Sequence, residues 1–258
     1  MPVSVGCVLL NYREGGLQPD GGYDFGPLVA ALADTPRRPD LLYFCEAKHY
    51  ADHGQRGLLL AAKAISDHFG VPYLGLLGYM ERAPLPPAIF YNPNVLTLLP
   101  PWYGHGSHHD YHSPSGPHFA ARDWALAAAR DWTNASHKGR EVDGGWEPDT
   151  EAMDHLIGRW VDGQGRVGGA GFHSLAELAW QACRDTPAAR RPGLLDHDGR
   201  ILATVNDHVD AGGGLHIDNA LANDLMLPYF VPDSFQIHVP PAGVSYSDHR
   251  AVSWELRF

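Results

Sequence analysis

Hydrophobic and polar positions divide the first part of the chain into short apolar runs and longer amphipathic segments. The runs Val3–Leu10 and Asp40–Glu46 are rich in aliphatic and aromatic residues and predict buried β-strands. Asp24–Ala33 and Gln55–Phe69 carry apolar side chains at helical spacing and predict two amphipathic helices. The order strand, helix, strand, helix is typical of an α/β domain.

Shorter elements are predicted along the rest of the chain. Further strands are expected at Pro72–Gly78, Pro87–Tyr91, Arg200–Val205, His216–Ala222, Phe235–Val239 and Ala251–Leu256. Further helices are expected at Ala120–Arg130, Met153–Trp160 and Leu175–Cys183. Ser174 is the expected N-cap of the last helix, with Glu177 at the capping-box position, and the polar, glycine-rich Trp132–Pro148 is expected to be a surface loop. No composition break marks a second domain, so residues 1–258 are expected to form a single domain.

Composition excludes some classes of partner. The 258-residue chain has 19 Lys and Arg against 30 Asp and Glu, a formal net charge of -11. This balance argues against non-specific nucleic-acid binding and against binding to an anionic membrane, because both depend on Lys and Arg. An anionic substrate is compatible with it, since a bound divalent cation brings its own positive charge.

Cysteine usage and hydropathy bear on location. Cys7, Cys45 and Cys183 are widely spaced, odd in number and without a Cys-x-x-Cys pair, which favours a reducing interior over a disulfide framework. The first residues lack the basic region of a signal peptide, and no apolar run approaches the roughly 18 residues of a membrane span. We therefore expect a cytoplasmic protein without a membrane partner. The frequent Ala, Gly, Pro and Trp residues are typical of a GC-rich bacterial genome.

Polar residues with catalytic chemistry stand at the ends of predicted strands. Asn11 follows the first strand and Glu46 ends the second. Strand ends of an α/β sheet are where ligands collect, so we expect these two side chains on one rim. Asp248 and His249 directly precede the terminal strand, where a rigid sheet can hold a reactive pair in place.

Five ordered stretches resemble one known superfamily. They are Val8-Leu9-Leu10-Asn11, Phe44-Cys45-Glu46, Ala88-Ile89-Phe90-Tyr91, His216-Ile217-Asp218-Asn219-Ala220-Leu221 and Ser247-Asp248-His249-Arg250-Ala251-Val252. In this order they resemble the endonuclease/exonuclease/phosphatase superfamily, whose members are Mg-dependent phosphoesterases with a DNase I-like fold. The resemblance implies a four-layer α/β sandwich that hydrolyses a phosphodiester or phosphomonoester with Mg²⁺ or Mn²⁺. The expected partner is a phosphoester substrate, with nucleic acid among the candidates, and the expected state is a monomer.

The resemblance also implies a role for each site residue. It assigns Glu46 to the metal ion and His249 to the phosphoryl centre, with Asp218 hydrogen-bonded to His249. Asn11 would bind phosphate or support the metal, and Asp248 would face the metal or the nucleophilic water. The residue types suit these roles, because carboxylate and amide oxygens bind Mg²⁺ and a carboxylate beside an imidazole favours its protonated form.

The chain departs from the superfamily in its centre. The superfamily has two further strands between the counterparts of Ala88–Tyr91 and Asp218, one followed by a catalytic histidine and the other ending in Gly-Asp-x-Asn, whose Asp and Asn position the nucleophile and the phosphate. This chain contains no Gly-Asp-x-Asn, and Asp131-Trp132-Thr133-Asn134 is the nearest string. A sandwich that lacks these central strands is therefore an open variant of the expected fold, and two alternatives for the function stay open. One alternative is therefore a catalytically inactive relative that acts as a binding module. The other is a zinc hydrolase, because the histidine cluster His105–His112 loosely resembles the metal-binding pattern of metallo-β-lactamase-like hydrolases.

Overall fold

The computed structural model describes residues 3–78, 86–97, 139–142, 145–148, 151–205, 216, 218–240 and 247–258. The strands in these ranges are β1 (Ser4–Leu10), β2 (Leu41–Phe44), β3 (Leu74–Leu77), β4 (Ala88–Tyr91), β5 (Gly139–Val142), β6 (Gly145–Pro148), β7 (Arg159–Val161), β8 (Gly165–Val167), β9 (Phe172–Ser174), β10 (Leu221–Asn223), β11 (Gln236–Ile237) and β12 (Val252–Arg257). The helices there are α1 (Gly26–Ala33), α2 (Asp52–Phe69), α3 (Glu151–Ile157) and α4 (Leu175–Cys183).

A mixed six-stranded sheet organises the fold, with strand order β11-β12-β1-β2-β4-β3. β1 runs parallel to β2 and antiparallel to β12, so the chain's first and last strands lie side by side. The pairs β5–β6, β7–β8 and β9–β10 form separate two-stranded units. The prediction of a mixed α/β fold is confirmed, and the four-layer sandwich stays a prediction.

The two faces of the central sheet belong to two separate cores. One core joins the sheet to α1 and α2 through Val8, Leu10, Leu28, Leu32, Leu42, Phe44, Leu58, Ile65 and Phe90. The other joins it to α4 and β10 through Val5, Cys7, Leu9, Leu175, Ala179, Leu221, Val252 and Trp254. β1 therefore buries successive residues on opposite faces, which explains its continuous apolar run.

Several predicted elements match the structure closely. The first two strands and the first two helices are found within three residues of their predicted bounds. α4 begins after Ser174, whose Oγ accepts a hydrogen bond from the backbone N–H of Glu177 at 3.4 Å, as the capping-box pattern predicts.

Other predictions were wrong in their bounds or type. The helix predicted at Met153–Trp160 ends at Ile157, because Gly158 adopts φ 87° and a Cβ there would lie 2.7 Å from the Gly168 carbonyl oxygen. Within the predicted surface loop Trp132–Pro148, β5 and β6 pair as antiparallel strands. Arg200–Val205 forms isolated bridges and no continuous strand.

The strand predicted at His216–Ala222 begins later, at Leu221, and the strand predicted at Phe235–Val239 is limited to Gln236–Ile237. The predicted helix Ala120–Arg130, the cluster His105–His112 and the string Asp131–Asn134 lie outside the described residues. None of the helices in the described ranges has the length and hydropathy to cross a membrane.

Candidate active site

Two parallel strands bring Asn11 and Glu46 together. Leu10 at the end of β1 pairs with Phe44 at the end of β2, so the residues that follow lie on the same rim of the sheet. Asn11 Nδ2 donates a hydrogen bond to Glu46 Oε1 at 3.3 Å, and both side chains are buried. The sequence prediction that these residues share a rim agrees with this geometry.

The turn after β1 fixes the second oxygen of Glu46. The backbone N–H of Glu14 donates to Glu46 Oε2 at 2.9 Å. The close packing of this turn against Glu46 depends on Gly15, where φ is 64° and a Cβ would lie 2.8 Å from the carbonyl oxygen of Glu46. Sequence reasoning missed this role, although the Gly15-Gly16 pair is a turn signal.

His249 and Asp218 form a buried pair. His249 Nδ1 and Asp218 Oδ2 are 2.8 Å apart, and the two side chains are 5% and 1% exposed. Burial alone would lower the pKa of His249. The hydrogen bond and charge of Asp218, with the charges of Asp248 and Glu46, outweigh burial and raise the pKa above its usual value. Protonation is therefore more favourable for this histidine than for one exposed to solvent.

Thr204 bonds to Asp218 and to Arg250, the residue that follows His249. Its Oγ1 accepts the backbone N–H of Asp218 at 3.0 Å, and its carbonyl oxygen accepts the backbone N–H of Arg250 at 2.7 Å. A β-bridge between Val205 and His249 adds a further contact. Sequence reasoning missed this role, because Arg200–Val205 was predicted to be an ordinary strand.

Ser247 connects the two halves of the site. Its hydroxyl donates to the carbonyl oxygen of Asn11 at 2.7 Å and accepts the backbone N–H of His249 at 3.1 Å. Asp248 is exposed, and its Oδ1 lies 3.2 Å from the Ser247 hydroxyl. The structure thus brings all five predicted site residues to one end of the sheet, with Asp248 at the solvent side and Asp218 in the interior.

Cys45 directly precedes Glu46, is buried and is kept protonated. Burial raises the pKa of its thiol well above the usual value, and the charges of Asp218 and Glu46 raise it further. A thiolate nucleophile at this position is therefore strongly disfavoured. The chemistry of the site rests on its carboxylates, amide and imidazole.

The site offers oxygen atoms that suit a hard divalent cation. Asn11 Oδ1 and Asp218 Oδ1 are buried and have no hydrogen-bond partner among the described residues. A buried polar atom without a partner costs about 1–3 kcal/mol. Asn11 Oδ1 belongs to the amide whose Nδ2 contacts Glu46, so an amide oxygen and a carboxylate, both ligand types that Mg²⁺ and Mn²⁺ accept, are carried by neighbouring side chains.

A second group of possible metal ligands lies elsewhere. Among the described residues, Asp196, His197 and Asp198 have ligand atoms within 4.8 Å of one another. They occupy a tight turn in which Asp196 Oδ1 accepts the backbone N–H groups of Asp198 and Arg200, each at 2.9 Å. The turn therefore accounts for this arrangement without a metal ion.

The chain was compared with protein-family models, curated proteins and solved structures, and none of them matches it. Its functional assignment accordingly depends on the residues of the site.

Proposed function

We propose that this protein is a divalent-metal-dependent phosphoesterase with the four-layer sandwich of the endonuclease/exonuclease/phosphatase superfamily. The observation that carries the proposal is one constellation. The buried His249–Asp218 pair and the Asn11–Glu46 pair stand at the same end of the sheet, and Ser247 bonds to both sides. A phosphoryl site needs this combination of a cationic donor and hard oxygen ligands.

The His249–Asp218 pair supplies the cationic donor. Asp218 engages Nδ1, which fixes the orientation of the ring and favours its protonated form, so a proton transferred to substrate leaves from Nε2. The imidazolium stabilises negative charge on a phosphoryl oxygen or protonates a leaving oxygen. Asp218 acts through His249 and is a positioning residue.

Glu46 and Asn11 would hold the metal ion, with Asp248 at the exposed side of the site. When bound, Mg²⁺ or Mn²⁺ neutralises the negative charge of the phosphoryl oxygens. The backbone N–H of Glu14 holds the Glu46 carboxylate in place, and the Ser247 hydroxyl holds the backbone of Asn11. The net charge of -11 favours a small or single-stranded phosphoester over extended duplex DNA.

Hydrolysis of bis-p-nitrophenyl phosphate with Mg²⁺ or Mn²⁺ tests the proposal. We expect turnover by the wild type and a loss of about 100-fold or more in His249→Ala, the usual scale for a general acid. Glu46→Gln should lower activity and raise the Mg²⁺ concentration needed for half-maximal rate. His173→Ala is the matched control, because His173 also contacts an aspartate at 2.8 Å but is exposed. Absence of turnover with every divalent metal, or full activity of His249→Ala, would overturn the proposal.

The missing Gly-Asp-x-Asn motif favours a second candidate, an inactive relative that binds a phosphorylated ligand. It predicts Mg²⁺ binding that depends on Glu46, with no turnover of any phosphoester. The zinc hydrolase stays a prediction from sequence. Stoichiometric zinc that survives dialysis and is lost in His108→Ala would support it.

A further inference from the structure

A cleft of about 660 Å³ opens beside the candidate active site. Its lining includes Tyr12, Arg13, Glu14, Gly16, Lys48 and His49. The volume falls in the range of small-molecule sites, about 300–1,000 Å³. The cleft and the active site share a wall, because the backbone N–H of Glu14 bonds to Glu46 at 2.9 Å.

The lining of the cleft carries an excess of positive charge. Glu14 is the one carboxylate among the lining residues, and Lys48 Nζ neutralises it at 2.7 Å. Arg13 is exposed and makes no ion pair with any residue in the described part of the chain. His49 Nδ1 lies 2.7 Å from Asp52 Oδ2, so Arg13 carries the positive charge of the lining that no carboxylate of the described residues neutralises.

The backbone around the cleft is strained. Glu14 and His49 have φ angles of 50° and 58°, in the left-handed region that residues other than glycine rarely adopt. Gly15 and Gly16 follow with φ angles of 64° and 78°. Strain of this kind persists where the surrounding structure enforces it and is concentrated at ligand-binding sites. It indicates that the shape of the cleft is maintained at a cost in stability.

We infer that this cleft binds a second anionic group of the substrate, which makes a small bisphosphate the substrate class of the enzyme. The inference rests on the proposed phosphoesterase function. Arg13 is two residues from Asn11, so their Cα atoms are no more than about 7 Å apart. A guanidinium binds phosphate through paired hydrogen bonds. The ester to be hydrolysed would lie against the Glu46–His249 site, with the second phosphate at Arg13.

The first test measures anion binding without catalysis. Inorganic phosphate is titrated into the ¹⁵N-labelled protein in EDTA, and backbone amide shifts are followed by NMR. We expect saturable shifts at residues 12–21 and 48–49, and about tenfold weaker binding in Arg13→Gln, the scale of one charge-assisted contact. The matched control is Arg190→Gln, which removes the same charge outside the cleft. Shifts that are absent, or equal in both variants, would overturn the inference.

The second test compares propane-1,3-diol bisphosphate with propyl phosphate in the presence of Mg²⁺, with released phosphate as the readout. The wild type and Arg190→Gln should prefer the bisphosphate in kcat/KM by about tenfold, and Arg13→Gln should lose this preference. Turnover of both compounds without preference would overturn the inference and leave the phosphoesterase function intact. Phosphate binding at the cleft without turnover of either compound would overturn the bisphosphate as the substrate class, and turnover of bis-p-nitrophenyl phosphate would then decide separately whether the phosphoesterase function holds.

Discussion

Two histidine–aspartate pairs in this protein have the same contact distance in different surroundings. His249 and Asp218 are 2.8 Å apart in the interior, with side chains 5% and 1% exposed. His173 and Asp224 are also 2.8 Å apart, but their side chains are 39% and 83% exposed. Solvent screens the charges of His173 and Asp224. In the buried pair, a charge on either His249 or Asp218 is compensated by the other residue instead of by water. The environment, and not the contact, makes the first pair a candidate catalytic group.

The two pairs also differ in what holds them. His173 lies on β9 and Asp224 follows β10, so their contact lies at the exposed end of a short two-stranded unit. His249 precedes β12 in the central sheet and is joined to Asn11 through Ser247. We therefore expect a substitution at His249 or Asp218 to alter the position of Asn11 at the rim of the sheet. A substitution at His173 or Asp224 should leave Asn11 in place.

The largest expected effect is on stability. Asp218→Ala removes one partner of a buried charged pair and should lower the free energy of unfolding by about 3–5 kcal/mol. Asp224→Ala should lower it by less than about 1 kcal/mol, as for exposed ion pairs. Urea unfolding followed by tryptophan fluorescence, to which the buried Trp254 contributes, measures both values. Equal losses in the two variants would show that burial does not distinguish the pairs.

A smaller effect is expected in the dependence of stability on pH. The pKa of His249 is raised in the folded state, so its contribution to stability is fully present below its unfolded pKa of about 6.5 and is lost as pH rises through the folded value. The difference in unfolding free energy between wild type and Asp218→Asn should therefore shrink from pH 5.5 to pH 9, by about 1.4 kcal/mol for each unit of pKa difference.

NMR titration of the His249 ring provides the control for this prediction. Its midpoint should be lower in Asp218→Asn than in the wild type, because burial remains and the carboxylate charge is removed. Asp224→Asn is the matched variant of the exposed pair and should leave the His249 midpoint unchanged. A stability gap that widens with rising pH would contradict the assigned direction of the shift.

Periodicity was sufficient to predict the half of the site that lies on regular strands. β1 is a continuous apolar run because both of its faces are buried, and its end at Leu10 positions Asn11. The parallel pairing of β1 with β2 then places Glu46 beside Asn11. Local pattern and tertiary environment agree at these positions, so the sequence was informative.

The other half of the candidate site, around Asp218 and His249, depends on contacts that no hydrophobic periodicity in the sequence indicates. Thr204 holds Asp218 and Arg250 through single hydrogen bonds between segments far apart in the chain. The segments around Thr204, Asp218 and Arg250 carry no apolar repeat long enough to indicate that they meet. The strand predicted at Arg200–Val205 was wrong because this segment makes isolated bridges and no continuous ladder. The β7–β8 hairpin could have been found, since Asp162-Gly163 is a hairpin turn signal.

The smallest expected effect concerns the exposed pair itself. A double-mutant cycle with His173→Ala and Asp224→Ala should give a coupling energy of about 0.2–1 kcal/mol at low salt. The coupling should fall towards zero at 1 M NaCl, where the Debye length is only about 3 Å. Urea unfolding of the four proteins at two salt concentrations measures it. A coupling that survives 1 M NaCl would mean that solvent does not screen this pair, and the contrast with His249 and Asp218 could no longer be assigned to burial.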